Sequence, residues 1–163
     1  MAILLRGTTT CPICGRVIEA EDDAVTFPHF ILNEKDPLFA LSDAACHAAC
    51  LKANPLGVAM LAAADGYYKN TGPGKRVCVV CGEQVLNPND YLLIGYLGDP
   101  SVVPLGKFNY THLHKSHIGD WKQVDEFLTL AKAALASGQW RGNALAEIIR
   151  EIEAGMGVGV PAK

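Results

Sequence analysis

Cys11-Pro12-Ile13-Cys14-Gly15 and Cys78-Val79-Val80-Cys81-Gly82 carry one pattern twice, 67 residues apart. Each is answered by a second pair of metal-type side chains, His47 and Cys50 after the first, His114 and His117 after the second. All four positions repeat at the same offset: 11 to 78, 14 to 81, 47 to 114 and 50 to 117. Four coincidences at one spacing indicate an internal repeat. They also indicate two sets of four ligands, Cys₃His and Cys₂His₂, of the kind that tetrahedral Zn²⁺ takes. Two Zn²⁺ per chain are therefore expected. Pro12 limits the backbone between the first two thiols. Gly15 and Gly82 supply the positive φ that turns the chain after the second thiol, so that N–H groups can face sulfur.

Reading outward, each CxxC is followed by a stretch that predicts a β-hairpin. In the first copy Val17-Ile18 leads through the polar turn Glu19–Asp23 to Ala24-Val25-Thr26-Phe27, which Pro28 stops. In the second, Gln84-Val85-Leu86 and Asn87–Asp90 lead to Tyr91–Ile94. Loops rich in Pro, Gly and charge follow at 31–38 and 98–106. Each second ligand pair then falls at an expected helix start, with Ser42 or Asp43 as the first N-cap and Thr111 as the second. Three-residue spacing puts the two ligands of each pair on one helix face. Asn54-Pro55 predicts a restart, with an apolar stripe of Leu56, Met60, Leu61, Ala64 and Tyr68. The second restart is expected at Asp120, with Trp121, Val124, Leu128, Ala131 and Leu135 in line. A last helix is expected over about 141–153, and Ala2–Leu5 reads as a short strand. The organisation is α+β: a first zinc module over 1–70, a linker over 71–76, a second module over 77–138, a C-terminal helix over 139–154 and a loose tail over 155–163.

Rival ligands lie beside two of the proposed ones. Cys46 competes with His47, but the repeat maps it onto Leu113, which cannot bind metal, so His47 is preferred. His112 competes with His114 and maps onto Ala45, so His114 is preferred. Six cysteines also admit a disulfide framework. The CxxC pairs and the complementary histidines favour metal instead. Glu19, Glu21, Asp22 and Asp23 read most simply as a solvated turn.

Half the residues are hydrophobic, which fits a globular chain. The formal charge is −3 and the pI about 5.9, with lysine and arginine scattered, so no electrostatic footprint for duplex nucleic acid appears. The apolar run Ala2–Leu5 is ended by Arg6 and does not read as a secretory signal. No stretch approaches the ~18 apolar residues of a membrane span. A reducing cytoplasm, where thiolates stay available to metal, is the expected compartment.

A CxxCG turn, a hairpin and a ligand pair in the first turn of a helix resemble the treble-clef class of zinc fingers. The run from Asp43 to Leu51, D-x-x-C-H-x-x-C-L, is similar to the H-x-x-C of the first zinc site in LIM domains. The resemblance covers residues 10–52 and 77–118, and by position it implies Cys11, Cys14, His47, Cys50, Cys78, Cys81, His114 and His117 as ligands. HNH nucleases share that frame and place a catalytic histidine near the end of the hairpin, where His29 stands. No Asp precedes His29, and the matching position in the second copy is Tyr96. A catalytic zinc keeps one position open for water, whereas both ligand sets here are complete. The expectation is a non-enzymatic zinc protein presenting a protein-interaction surface. A nucleic-acid-binding regulator is the alternative, and an HNH-like nuclease the less favoured one. Elemental analysis of the purified chain is expected to give two zinc ions; one ion, or iron in place of zinc, would reject the ligand scheme.

Overall fold

The computed structural model describes residues 2–157, so the tail expected over 155–163 lies mostly outside the described residues. The chain forms two compact units. One comprises the chain up to Leu32 together with Asp36–Lys69; the other comprises Asn33–Lys35 and the chain from Asn70 onward.

In the first unit, β1 (Ala24–Thr26) pairs antiparallel with β2 (Ala45–His47) in the register Ala24 to His47, Val25 to Cys46 and Thr26 to Ala45. α1 (Ala48–Ala53) follows β2 without a loop, and α2 (Pro55–Asn70) follows α1 after one residue. That residue is Asn54, whose side-chain oxygen accepts the Leu56 N–H at 2.9 Å while Pro55 opens the new helix, as the sequence predicts. The core holds Ile18, Phe27, Ile31, Leu51 and Met60, all fully buried, with Phe30 against Tyr67 at a ring separation of 4.9 Å.

In the second unit, β3 (Tyr91–Ile94) pairs antiparallel with β4 (Thr111–His114), with Tyr91 opposite His114. A 3₁₀ helix over Lys115–Asp120 comes next, then α3 (Val124–Ala136) and α4 (Ala144–Gly155). Phe108, Trp121 and Phe127 meet ring against ring, with centroids 5.3 to 5.7 Å apart, the spacing at which aromatic quadrupoles attract. Leu145, Ile149 and Ile152 of α4 are buried in the same core. The end of α4 lies so close to the 3₁₀ helix that a Cβ on Gly155 would come within 2.6 Å of Ile118 Cδ1.

The offset of 67 extends from the sequence to the backbone. The bridge Thr10 to Val17 recurs as Val77 to Gln84, and the pair Ala24–His47 recurs as Tyr91–His114. α1 corresponds to the 3₁₀ helix over Lys115–Asp120. The two non-glycine residues at positive φ among the described residues, Asp43 at 57° and Tyr110 at 60°, also stand 67 apart.

Several expectations are corrected. Val17 and Gln84 close the CxxC turns on Thr10 and Val77 instead of forming hairpins with β1 and β3. The strands' partners come from the far side of the long loops: Val25 stands opposite Cys46 and Leu92 opposite Leu113, with Cys46, Leu92 and Leu113 buried and Val25 half-buried. Neither Ser42 nor Asp43 is the N-cap of α1: the Ser42 hydroxyl accepts the N–H groups of Phe30 and Ile31, and α1 begins after His47. Thr111 opens β4 and donates its hydroxyl to the Phe108 carbonyl. Ala2–Leu5 joins no strand pair; Ala2 N–H reaches the Phe27 carbonyl at 3.3 Å, and Ile3 and Leu5 stay exposed. The buried face of α2 is Gly57, Met60 and Ala64, which leaves Leu56 and Tyr68 outside. That face is set by the sharp elbow after α1, where Gly57 sits on the backbone of Leu51. α3 starts at Val124, because the 3₁₀ helix runs on to Asp120, and it buries Val124, Phe127, Ala131 and Ala134.

A Cβ at Gly57 would lie 2.3 Å from the Leu51 carbonyl oxygen, a backbone atom that cannot swing aside. Gly57→Ala is expected to destabilise the first unit by about 1–3 kcal/mol, read as a lowered denaturation midpoint with unchanged slope.

Candidate metal centres

Each centre begins with a tight turn. Cys11 N–H donates to the Arg16 carbonyl at 2.9 Å and Gly15 N–H to the Cys11 carbonyl at 2.8 Å, with Gly15 at φ 72°. Cys78, Glu83 and Gly82 make the same two bonds at 2.8 and 2.9 Å, with Gly82 at φ 75°. The left-handed glycine bends the chain back and leaves amide hydrogens facing the sulfurs. The other two ligands of each set come from a strand end and the helical turn after it. His47 closes β2 and Cys50 lies in the first turn of α1; His114 closes β4 and His117 lies in the 3₁₀ helix.

The structure brings all eight predicted residues together in their expected fours. The ligand atoms of Cys11, Cys14, His47 and Cys50 all lie within 4.8 Å of one another, as do those of Cys78, Cys81, His114 and His117. His47 Nδ1 is 3.4 Å from Cys14 Sγ and 3.9 Å from Cys50 Sγ. His114 Nδ1 is 3.6 Å from Cys81 Sγ, and His117 Nδ1 is 3.9 Å from Cys78 Sγ. A four-coordinate ion with metal–sulfur bonds of about 2.3 Å and metal–nitrogen bonds of about 2.0 Å separates S from N by roughly 3.5 Å. Both groups therefore have the dimensions to hold a metal ion.

The rivals find other roles. Cys46 is fully buried in β2, and burial, followed by the neighbouring Cys11, pushes its thiol up to about 12. His112 is buried with both ring nitrogens engaged: Nε2–H donates to the Asn70 carbonyl at 2.8 Å and the Tyr91 hydroxyl lies 2.8 Å from Nδ1. Burial holds its pKa below the usual histidine value.

Two contributors to the first centre lie outside the predicted ligands. Asp22, expected as part of a solvated turn, accepts the Nε2–H of His47 at 3.1 Å and is itself held by the Glu19 N–H at 2.8 Å. A carboxylate on Nε2 fixes the tautomer that leaves the Nδ1 lone pair for metal. Arg16 is the second. Its N–H, and then its guanidinium, favour the Cys14 thiolate and bring that thiol down to about 6 although burial opposes it. Burial also works against Cys11, yet N–H groups of Cys14, His47 and Ile13 bring it below the ordinary thiol value. Cys78 falls to about 6 in the same way, through N–H groups of His114, Cys81 and Val80; the His114 amide is 3.4 Å from its sulfur. Cys50 goes the other way, pushed up to about 11 by burial and by the sulfurs of Cys14 and Cys11. The second centre is braced differently: the Asp90 carboxylate accepts the Ser116 N–H at 2.9 Å and its hydroxyl at 3.0 Å, pinning the turn that carries His117. No sequence signal marked Asp22 apart from its acidic neighbours, because its partner lies 25 residues away.

Comparison with protein-family models, with curated proteins and with solved structures finds no match.

Asp22→Ala is expected to weaken metal binding at the first centre by about 10–100-fold and to leave the second unchanged, measured by competition with a chelator of known affinity. His112→Ala is expected to keep both ions, whereas His114→Ala and His117→Ala each lose one. Loss of metal in His112→Ala with retention in His114→Ala would reverse that assignment.

Proposed function

We propose that the chain is a zinc-binding, non-enzymatic protein in which two structural zinc sites hold a protein-interaction surface. The observation that carries this reading is the pair of four-ligand clusters, each spanning the turn at its CxxC and the strand–helix junction. Thiolate and imidazole donors in a tetrahedral set favour Zn²⁺ over the hard cations, which prefer oxygen. The common offset of strands, bridges and ligands supports a tandem pair of treble-clef-like modules. With four protein ligands per ion, no position is left for water, so the metal neither polarises a substrate nor generates a nucleophile. Its contribution is to folding, because units with two-stranded sheets gain their rigidity from the cross-link.

The second CxxC turn supplies a candidate contact face. Val77, Val79 and Leu86 are all exposed on its two arms, Leu86 at 78 %. At the matching places the first turn has Thr10, Pro12 and Glu19. Clustered apolar side chains in water are a recognised mark of a protein contact. The nucleic-acid alternative draws less support, because several of the basic residues it would use are already paired. Lys69 pairs with Asp65 at 2.7 Å, Lys115 with Glu151 at 2.6 Å and Lys107 with Glu126. Arg76 lies over the Tyr91 ring at 4.9 Å. For the nuclease alternative, His29 is exposed and its ring meets Phe39 edge-on at 6.4 Å. Among the described residues no helix is long and apolar enough to cross a membrane. The thiolate-rich ligand sets fit a reducing compartment such as the cytoplasm.

The zinc-loaded protein is expected to cleave neither single- nor double-stranded DNA or RNA with Mg²⁺, Mn²⁺ or Zn²⁺ present. Cleavage that disappeared in His29→Ala would install the nuclease reading instead. In affinity purification from the native host, a protein partner held by the wild type is expected to be lost from Val79→Asp/Leu86→Asp. Recovery of nucleic acid, unaffected by those substitutions, would favour the alternative.

A further inference from the structure

α2 of the first unit stands 67 residues before α3 of the second, and the two turn the same face inward. Buried Gly57, Met60 and Ala64 correspond to buried Val124, Phe127 and Ala131. Their outer sides differ. From Pro55 to Ala64 α2 has no polar side chain at all, although Val58 is 53 % exposed and Leu56 is exposed beside it. At the places of Val58, Ala59 and Ala62, α3 has Asp125, Glu126 and Thr129, an ordinary solvated side. A helix that is apolar all round is normally covered all round. The second unit shows what covers such a helix. α4 packs against both α3 and the 3₁₀ helix before it, buries Leu145, Ile149 and Ile152, and sets Glu153 on Lys132 of α3 at 2.7 Å. Lys132 thus marks the flank of α3 on which α4 lies, with half-buried Leu128 and Leu135 one turn to either side. The matching flank of α2 is Leu61, Asp65 and Tyr68, and Tyr68 is 59 % exposed. Within the first unit no helix lies along α2 as α4 lies along α3.

We propose that this flank of α2 is the docking site for an amphipathic helix of a protein partner, laid on it as α4 is laid on α3. The inference rests on the reading of the chain as an interaction protein and adds a face apart from the one at the second CxxC turn. The internal precedent specifies the occupant. Its apolar residues recur at i, i+4 and i+7, the spacing of Leu145, Ile149 and Ile152, and such anchors are how a helix is held on an apolar surface. Its charge is opposite to that of α4 at one place. Asp65 stands where α3 has Lys132, so the occupant carries a lysine or arginine where α4 carries Glu153. Asp65 is paired with Lys69 of its own helix at 2.7 Å, but both side chains are largely in water, and such a pair contributes little and yields to a better-placed cation. The same carboxylate disfavours α4 of a second copy, which would set Glu153 against it.

The probe is a synthetic peptide of the α4 sequence, Ala144–Gly155, carrying Glu153→Lys and stapled on its outward side, because so short a helix does not persist alone in water. The unchanged sequence, stapled alike, is the control. Both are titrated into the full chain, and zinc content is measured on the same sample. The Glu153→Lys peptide is expected to bind saturably and roughly tenfold more tightly than the control, with amide shifts centred on residues 56–68. Val58→Asp/Tyr68→Asp is expected to lose this binding at an unchanged denaturation midpoint. Asp65→Lys is expected to reverse the preference in favour of the control, a gain that no loss of structure produces. Val79→Asp/Leu86→Asp, which probes the other face, is expected to bind the peptide as the wild type does. A zinc content other than two overturns the zinc reading, whereas the peptide results decide this inference on their own. Absence of binding, equal binding of the two peptides, shifts confined to α3 or to the second CxxC turn, or a dimer of the chain that Val58→Asp/Tyr68→Asp makes monomeric would overturn the inference.

Discussion

Three thiols and an imidazole lie with their ligand atoms within 4.8 Å of one another, close enough that ionised sulfurs would repel unless a cation joined them. Two thiolates about 4 Å apart repel by about 4 kcal/mol at an effective dielectric constant of about 20. The first unit has little regular structure around the cluster. Its sheet is two strands of three residues, and its ligand-bearing helix has six. Neither would persist alone in water. The chain nevertheless presents the four side chains together, because Gly15 turns the CxxC segment and the pairing of Ala24 with His47 fixes the other arm. The attraction of a bound zinc ion and the packing of Ile18, Phe27 and Leu51 would then act on the same few residues.

The second unit repeats that frame on different chemistry. Arg16 beside Cys14 corresponds to Glu83, Asp22 beneath His47 to Asn89, and Cys50 to His117. The changes do not share one sense: Arg16 places a guanidinium beside the three-thiol set where the second copy has Glu83, whereas Asp22 adds a carboxylate to that same centre where the second copy has Asn89. The second centre gains mechanical support instead. Asp90 pins its helical turn, α4 packs on that turn through Gly155 and Ile118, and the Phe108, Trp121 and Phe127 cluster lies beside it. Turns and strand ends placed alike thus carry two ligand sets of different composition.

A frame built from so few residues leaves much of its surface free to vary. The charged side chains mostly neutralise one another locally, as in the pairs Lys132–Glu153 and Arg141–Glu34. Around the second CxxC turn, exposed Val77, Val79 and Leu86 stand where the first copy has Thr10, Pro12 and Glu19.

The sequence by itself determined the α+β class, the membership of both ligand clusters, and the preference for His47 over Cys46 and for His114 over His112. It could do so because cysteine and histidine are scarce and their spacing repeats without a gap. Asn54-Pro55 was equally legible, since a cap and a helix-opening proline act on their immediate neighbours. Strand partners were not. Val25 chose Cys46 and Leu92 chose Leu113 across loops of some 20 residues, and nothing local encodes which of two apolar runs a strand will bury against. The same holds for Asp22, one of four acidic residues in a turn until β2 brings His47 over it. Residue type and spacing set which atoms gather; only the tertiary structure brought the His47 amide to Cys11 and the His114 amide to Cys78, because those two donors come from strand ends far away in sequence, whereas the other amides lie in the same CxxC turn.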